Sequence, residues 1–153
     1  STAAEMAASS IFWNFAPVVA VPQDIRWGRT YEGYSESTQV VTRLGEAYVR
    51  GLQEPVILGS DPLPYFILAT PKHYIGDGGT TWGSSRMLFP IPPGVPFEGA
   101  NNMFPFKIDQ GDTRVDEATL RAVHLRPYIA AIQAGVQVVM ASFSPFFSSF
   151  ETA

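Results

Sequence analysis

The stretch that decides the fold is Tyr65-Phe66-Ile67-Leu68-Ala69-Thr70, which runs directly into Pro71-Lys72-His73-Tyr74. The first six residues form a short apolar run, rich in β-branched and aromatic types and bounded by prolines. Such a run without polar alternation is typical of a strand that is covered on both faces in a parallel sheet. Two runs of the same kind stand at residues 11–20 and 136–143. The sequence therefore predicts three parallel strands.

Apolar residues at helical spacing lie between the first two strands. Residues 36–52 repeat apolar side chains every three or four positions, behind a helix cap that we place at Ser35. Residues 2–8 form a further predicted helix before the first strand. The connection between the first two strands is therefore a helical crossover.

A second long helix is predicted over residues 116–134. It begins with acidic residues and ends at Gly135, and Pro127 is expected to kink it near Arg126. With this helix the element order becomes that of a right-handed βαβ sheet. The predicted fold class is α/β, with three parallel strands and flanking helices.

Residues 76–112 connect the second strand to that long helix. They are rich in Gly, Pro and Asn, and we expect them to be irregular throughout. A loop of this length in a compact domain is usually either functional or disordered, and this one leaves the carboxyl end of a strand, where α/β folds place their sites. The sequence therefore predicts one long βα loop near a functional site.

Length and composition limit the remaining choices. The chain has 153 residues, 46% hydrophobic and 16% charged, which predicts a single globular domain over 1–153. A complete eight-stranded α/β barrel takes about 250 residues, so the chain is too short for one. The formal charge of −4, without any block of like charge, does not indicate a nucleic-acid partner.

Cysteine content and the composition of the amino terminus bear on the cellular compartment of the protein. The chain has no cysteine, which excludes disulfides, thiolate metal ligands and cysteine nucleophiles. No window reaches the ~18 consecutive apolar residues of a membrane span, and residues 1–10 lack the basic start and apolar run of a signal peptide. We expect no membrane insertion, and the compartment stays open.

Lys72 and His73 close the second predicted strand. A lysine at the end of a buried strand has to reach solvent or a ligand, because an unpaired ammonium is unstable in an apolar interior. The alternative is a surface lysine beside a structural histidine. Their position at the carboxyl end of the strand favours the functional interpretation.

A second candidate region follows the first strand at residues 27–36. It combines aromatic rings, an arginine and carboxylates, a mixture that suits sugars because flat rings cover apolar sugar faces and charged groups bond hydroxyls. In the alternative interpretation the aromatics only plug the end of the sheet, and Arg29 pairs with Glu32 or Glu36. The aromatic residues concerned are Trp27, Tyr31 and Tyr34.

Other chemistries receive little support. The sequence Gly76-Asp77-Gly78-Gly79-Thr80 lacks the Gly-Lys-Ser/Thr ending of a phosphate loop, and a threonine at 81 breaks the dinucleotide fingerprint. His73 and His124 are far apart, and His124 falls on or near the packed side of a helix, which argues against a shared metal site. No Gly-x-Ser-x-Gly elbow is present. We therefore predict no cofactor and no metal.

Four segments in one order resemble glycoside hydrolase family 3, the family of β-glucosidases and exo-glucanases. Together they cover nearly the whole chain, and the second and third contain the most specific motifs. The segments are Trp13-Asn14-Phe15-Ala16-Pro17-Val18-Val19, residues 26–36, Ala69-Thr70-Pro71-Lys72-His73-Tyr74-Ile75-Gly76-Asp77-Gly78-Gly79-Thr80, and residues 108–121.

The resemblance implies a barrel-like α/β catalytic domain, of which this chain would be a partial (β/α) barrel. It further implies that Arg29, Lys72 and His73 line the subsite that grips the terminal glucosyl unit of a β-glucoside. Their role would be hydrogen bonds to ring hydroxyls, which strengthen in an oxocarbenium-like transition state. His73 is expected to donate from one ring nitrogen while a backbone group holds the other.

Three carboxylates could support this subsite: Asp77, Glu32 and Asp109. Asp77 is expected mainly to tie the Gly-rich turn through hydrogen bonds to its own backbone. An active enzyme that uses these resident carboxylates is the weakest hypothesis, because retaining glycosidases need two carboxylates about 5–5.5 Å apart.

The resemblance also implies what lies elsewhere. In this family the nucleophile is an Asp in a Ser-Asp-Trp type motif on a later strand, and the acid/base comes further along; this chain has no such motif. We therefore expect no catalytic residue here and no hydrolysis by the isolated chain. Its expected partners are a β-glucoside or glucose, and the remainder of a barrel or a second copy. The family favours a bacterial periplasmic or secreted location.

Two further hypotheses compete with that of an enzyme portion. One is a non-catalytic sugar-binding module, and the other is a protein that associates with itself through sheet edges and its Phe-rich tail.

Overall fold

The computed structural model describes residues 1–60, 64–85, 88–90, 93, 103–105 and 107–147. It contains four α-helices and eight short strands in these residues. In chain order they are α1 (Thr2–Ala8), β1 (Trp13–Asn14), α2 (Thr38–Gln53), β2 (Leu68–Ala69), β3 (Lys72–Tyr74), β4 (Leu88–Pro90), β5 (Met103–Pro105), β6 (Thr113–Arg114), α3 (Glu117–Thr119), α4 (Arg126–Gln133), β7 (Met140–Ala141) and β8 (Phe146–Phe147).

A parallel arrangement of three chain segments confirms the predicted strands. β1 pairs in parallel with β2, and the pairing continues beyond the ladder at Val18 and Lys72. On the other side, β3 pairs in parallel with β7. The second segment is therefore central, and the carboxyl ends of all three point to one edge.

The first segment is only partly covered, which corrects the expectation for residues 11–20. Val18 and Val19 are buried, as predicted. Trp13 and Phe15 are each 53% exposed, and Ile11 and Phe12 are also exposed. In the first half the Asn14 side chain reaches the helices, through hydrogen bonds to Met6 of α1 and Tyr48 of α2. The later half is therefore the part that has the burial its composition predicts.

Both early helices are present. α1 has the predicted bounds, and the Ser1 side chain caps it. α2 begins at Thr38 with Ser37 as its cap residue, so the cap expected at Ser35 is wrong. The Ser35 hydroxyl instead accepts a hydrogen bond from the Ser37 amide at 3.0 Å, which holds the turn before the helix.

The predicted helix over residues 116–134 is present, with a local change of winding. Asp116 caps it, because its carboxylate accepts a hydrogen bond from the Thr119 amide at 2.6 Å. Leu120–Leu125 is π-helical, and α4 follows with Pro127 in its first turn. A proline has no amide hydrogen for the turn before it, so the wider π turn stands where we expected a kink. Gly135 follows the helix at φ +89°.

Three helices pack on the central strand. One core cluster joins small residues of α1 with Val49 and Leu52 of α2, Ile67 and Ala69 of the central segment, and Ala131 of α4. A second cluster joins Val19, Val21, Val41 and Tyr128. These contacts hold the strands in place from one side. Among the described residues no helix is long and apolar enough to cross a bilayer.

The long loop is not irregular throughout, which is a second correction. β4 and β5 pair as an antiparallel ladder, in which Leu88 faces Pro105 and Pro90 faces Met103. The prolines stand at the ends of the ladder, where a missing amide hydrogen is tolerated, so proline content alone was a poor guide. Most of residues 86–106 lie outside the described residues. Further along, β6 pairs in parallel with β8.

Candidate functional site

Side chains from three successive strand ends meet at the carboxyl edge of the sheet. Arg29 lies in the loop after β1, His73 lies within β3 with Asp77 just after it, and Ser142 follows β7. The structure thus brings Arg29 and His73 together although 44 positions separate them. The edge is the one at which α/β folds place their sites.

Arg29 is held in a fork by Glu32. Its Nε lies 2.7 Å from Glu32 Oε1 and its Nη2 lies 2.9 Å from Oε2. This hydrogen bonding lowers the pKa of the Glu32 carboxyl and raises the pKa of the Arg29 guanidinium. Arg29 therefore pairs with Glu32, one of the two partners named in the alternative interpretation. This pairing fixes the guanidinium at the carboxyl edge of the sheet.

His73 bridges Arg29 and Asp77. Its Nε2 lies 3.3 Å from Arg29 Nη2, and its Nδ1 lies 2.7 Å from Asp77 Oδ2. Arginine can only donate, so Nε2 accepts and the ring proton belongs on Nδ1, toward the carboxylate. The Nδ1 contact is close in distance, but it does not have the geometry of a formed hydrogen bond.

This arrangement differs from the expectation in two respects. We expected one ring nitrogen of His73 to donate to a sugar hydroxyl, whereas Nε2 accepts from Arg29. We expected a backbone group to hold one ring nitrogen of His73, whereas a carboxylate stands there. Asp77 also accepts a very short hydrogen bond from the Ser142 hydroxyl, and that hydroxyl in turn accepts from the Ser144 amide at 2.7 Å. The Asp77 side chain thus reaches across the sheet edge, while its backbone carbonyl closes the Gly-rich turn by accepting from Thr80.

Lys72 lies next to this cluster. Its backbone is tied to the first strand, since its amide donates to Pro17 at 3.0 Å and its carbonyl accepts from Val19 at 3.0 Å. Its positive charge contributes, after Arg29, to the lowered pKa of Glu32. Within the described part of the chain no carboxylate lies within ion-pair distance of its ammonium group.

Asp109 contacts the loop after the first strand through Trp27. Its carboxylate accepts from the Trp27 indole at 3.0 Å, and Trp27 is buried against Val18, Ala20 and Ile108. The negative charge of Asp109 also contributes to the raised pKa of Arg29. Trp27 is thus a structural residue, as the alternative interpretation holds.

The two tyrosines of this loop behave differently from each other. Tyr34 packs against the core cluster of Val19 and Tyr128. Tyr31, in contrast, is 84% exposed and does not plug the sheet.

Close packing of glycines shapes the turn that carries Asp77. Gly76 has φ +100°, a conformation that side chains rarely allow. A Cβ on Gly78 would lie 2.3 Å from the Val21 carbonyl oxygen. The Gly78 carbonyl also accepts from the Gln23 amide at 2.8 Å. The turn is therefore pressed against the loop after the first strand.

Sequence reasoning missed Ser142. The only available signal was the position of Ser142 at the carboxyl end of the third predicted strand. This signal is weak, because many serines at strand ends have no functional role. In the described residues no group of three His, Asp or Glu side chains is arranged to hold a metal ion.

Comparison with known proteins shows the family to which this chain belongs. Residues 1–116 match the model of the glycosyl hydrolase family 3 N terminal domain, so the chain belongs to glycoside hydrolase family 3. The resemblance drawn from the sequence is confirmed.

Individual relatives agree with this assignment. A periplasmic beta-glucosidase of Salmonella typhimurium is 32% identical over an alignment of 97 residues, and the match covers 58% of this chain and 12% of the relative. A beta-xylosidase of Formosa agariphila is 29% identical over 148 residues, 95% of this chain and 17% of that one. The chain is therefore β-glucosidase-like. The two relatives are named for different sugars, glucose and xylose.

A solved structure supports the fold. The exo-1,3/1,4-beta-glucanase ExoP from a Pseudoalteromonas species, solved as a point mutant, is 40% identical, with a TM-score of 0.69 over 95% of this chain and 19% of that one. The chain thus spans less than a fifth of the length of these relatives.

Proposed function

We propose that this chain forms the sugar-gripping part of a β-glucosidase-type glycoside hydrolase. In this proposal Arg29, Lys72 and His73 line the subsite of the terminal glucosyl unit of a β-glucoside. Arg29 and Lys72 supply the donors to its hydroxyls, and Glu32, Asp77 and Asp109 hold the lining groups in position. The observation that carries the proposal is the contact between Arg29 Nη2 and His73 Nε2 at 3.3 Å, which joins two strand ends into one polar cluster.

The chemistry of these groups supports hydroxyl recognition. Arg29 has five N–H donors in a planar fork, of which Glu32 engages only part, and Lys72 adds three rotatable donors. Sugar hydroxyls accept such bonds well, and charged donors form stronger bonds than neutral ones. Because Asp77 and Glu32 fix His73 and Arg29 beforehand, less entropy is lost when the sugar binds.

The same contacts argue that the resident carboxylates are not the reacting ones. Both oxygens of Glu32 are occupied by Arg29, and those of Asp77 face Ser142 and His73. Asp109 accepts from Trp27. A nucleophile and a general acid/base need free carboxyl groups that face the scissile bond. In the proposed enzyme these two carboxylates come from outside the 153 residues, and this chain is one portion of a (β/α) barrel in the periplasm or outside the cell.

Glucose binding tests the proposed grip. Titration of the 153-residue chain with glucose, followed by NMR, is expected to give millimolar binding, and Lys72→Ala is expected to weaken it about ten-fold or more because a charged donor is lost. Arg50→Ala is the matched control, since this helix cation pairs with Glu46 on the surface, away from the sheet edge. Unchanged glucose affinity in folded Lys72→Ala would contradict the proposed grip.

Hydrolysis tests the other half of the proposal. The purified chain is expected to release no nitrophenol from an aryl β-glucoside, since both reacting carboxylates are supplied elsewhere. Lys72→Ala is run alongside to detect a contaminating enzyme. Turnover that disappears in this variant would mean that the chain contains a complete site.

A second candidate is a non-catalytic module that associates with itself. Exposed apolar side chains around β1 favour it, namely Ile11, Phe12, Trp13, Phe15 and the neighbouring Phe66. Sedimentation of the chain distinguishes the two: a stable homodimer supports this candidate, and a monomer that binds glucose supports the first.

A further inference from the structure

A groove of about 700 Å³ lies between α2 and α4, and it shares no lining residue with the polar cluster at the sheet edge. Each of the two helices forms one wall. Within a wall the residues recur at spacings of three or four positions, so they share one face of their helix. The residues are Gln39, Thr42 and Arg43 of α2, and Arg126, Ile129 and Gln133 of α4.

Contacts between the two helices fix the walls relative to each other. Val41 of α2 and Tyr128 of α4 are both buried in one core cluster. The Thr38 hydroxyl donates a hydrogen bond to the Val123 carbonyl at 3.2 Å, which joins α2 to the turn before α4. The groove is therefore formed before any partner binds, and a preformed surface loses less entropy on binding.

The arginines of the groove differ from the others in their ion pairing. Arg43 and Arg126 are exposed, and neither has a described carboxylate within ion-pair distance. Every other arginine in the described residues pairs with a carboxylate at 2.5–2.9 Å, namely Arg26, Arg29, Arg50, Arg114 and Arg121. The two unpaired guanidinium groups thus stand on opposite walls of one groove.

Further donors and an apolar side chain accompany these two arginines. The side chains of Gln39 and Gln133 form no hydrogen bond within the described part of the chain, and each carries an amide NH₂ donor group. Ile129 is 44% exposed. No described carboxylate lines the groove, although the whole chain carries a formal charge of −4. The groove is therefore a positively charged, partly apolar surface on an acidic protein.

The size and chemistry of the groove fit a segment of protein. Guanidinium groups bind carboxylates in a bidentate fork, and one on each wall suits a segment whose acidic side chains point to both sides. An inorganic anion would fill only a small part of the groove and would leave Ile129 uncovered. An acidic segment that also carries apolar side chains would cover both kinds of surface, as a helix does when it binds in a groove.

A second copy of this chain fits the groove poorly. In a two-fold symmetric dimer the same surface patch meets itself. Arg43 and Arg126 would then face the same arginines of the other copy, and like charges repel. The complementary occupant is therefore a different surface, with acidic character.

We propose that the groove between α2 and α4 is a docking surface for an acidic segment of a partner protein. Arg43 and Arg126 pair with carboxylates of the segment, and Ile129 packs against one of its apolar side chains. This inference goes beyond the proposed function and does not depend on it, because none of these residues belongs to the proposed glucosyl site.

The test uses a fluorescein-labelled peptide of about 12 residues that is rich in Glu and Leu, and a counterpart with Gln in place of every Glu. Fluorescence anisotropy with the 153-residue chain is expected to show binding of the acidic peptide and at least about ten-fold weaker binding of its counterpart. Arg43→Gln and Arg126→Gln should each weaken binding of the acidic peptide about ten-fold, since each removes one charged pair. Ile129→Ala should weaken it about three-fold.

Matched variants separate docking from general attraction. Arg50→Gln removes the same charge from the same helix outside the groove, and Ile132→Ala truncates an exposed apolar side chain of α4 that does not line it. Neither should change the peptide affinity by more than about two-fold. An equal loss of affinity in Arg50→Gln and Arg43→Gln would overturn the proposal, because the peptide would then respond to net charge alone. Glucose affinity should be unchanged in Arg43→Gln, so this test is separate from that of the proposed grip.

Other occupants of the groove give different results, and each of these would overturn the docking surface. Inorganic phosphate that displaces the peptide and binds as tightly would indicate a site for small anions only. A dimer of the parent chain that becomes a monomer in Arg126→Gln would indicate that a second copy occupies the groove. Absence of peptide binding up to millimolar concentration would show that the groove does not bind acidic segments.

Discussion

Gly78→Ala is expected to destabilise the fold by about 3 kcal/mol, which is at the upper end for overpacking a rigid site. An added Cβ would lie 2.3 Å from the Val21 carbonyl oxygen and 2.8 Å from the Pro22 nitrogen. Both neighbours are backbone atoms, so no side chain can rotate away. In a chain of this size the melting temperature should fall by roughly 6–12 °C.

Gly51→Ala is the matched control for this experiment. Gly51 lies inside α2, and a Cβ there would meet no described atom within 4 Å. Alanine favours helix more than glycine does, so this variant should gain up to about 1 kcal/mol. Urea unfolding of the two variants and the parent measures both effects. Equal unfolding midpoints for Gly78→Ala and the parent would contradict the close approach of the turn to the first strand.

A loss of stability in mild acid is the second large effect that we expect, and its source is His124. Burial lowers the pKa of this histidine to about 4 from its ordinary value of 6.5. Its Nε2 has no hydrogen-bond partner among the described residues, and the ring packs against Gly79. The folded protein therefore keeps this ring neutral well below the pH at which the unfolded chain protonates it.

The direction of the pH effect follows from proton binding. Between about pH 6.5 and pH 4 the unfolded chain takes up a proton at His124 that the folded chain does not, so the free energy of unfolding falls as the pH falls. The two pKa values correspond to a loss of about 3 kcal/mol across this interval. Above about pH 6.5 the effect is absent, because both states are then neutral.

His124→Gln tests this origin, because glutamine is polar but does not titrate. The variant should show a smaller loss of unfolding free energy between about pH 7 and pH 4 than the parent. NMR titration of the two histidines provides a direct reading, with the His124 signal assigned by its absence in the variant. A His124 titration midpoint near the ordinary value of 6.5 in the folded protein would contradict the burial argument.

The positions of the helices and strands could be predicted because they depend on local pattern. The apolar runs and the helical spacing located all three parallel strand segments, α1 and the long helix after Asp116. The errors arose where two local structures were both compatible with the sequence, and composition does not decide between them. Ser35 and Ser37 are both good cap residues, and the fold uses Ser37. Proline content predicted no ladder over residues 76–112, yet β4 and β5 pair there with prolines at the ladder ends.

The contents of the site were predicted less fully. The sequence indicated Arg29, Lys72 and His73 by residue type and by their place after two strands, and it left open whether Arg29 pairs with Glu32 or Glu36. It did not indicate that Ser142 holds Asp77, because the two residues are 65 positions apart. Nor did it indicate the groove between α2 and α4, since its two walls come from helices that are far apart along the chain.

The sequence by itself determined the α/β class, the order of the elements and membership of glycoside hydrolase family 3, because each is expressed in runs and motifs of neighbouring residues. The tertiary structure alone decided which groups meet. The links from Arg29 to His73, from His73 to Asp77 and from Asp77 to Ser142 depend on how three parallel strands align. That alignment is set by helices packed behind the sheet, and such packing joins residues whose separation along the chain leaves no local pattern.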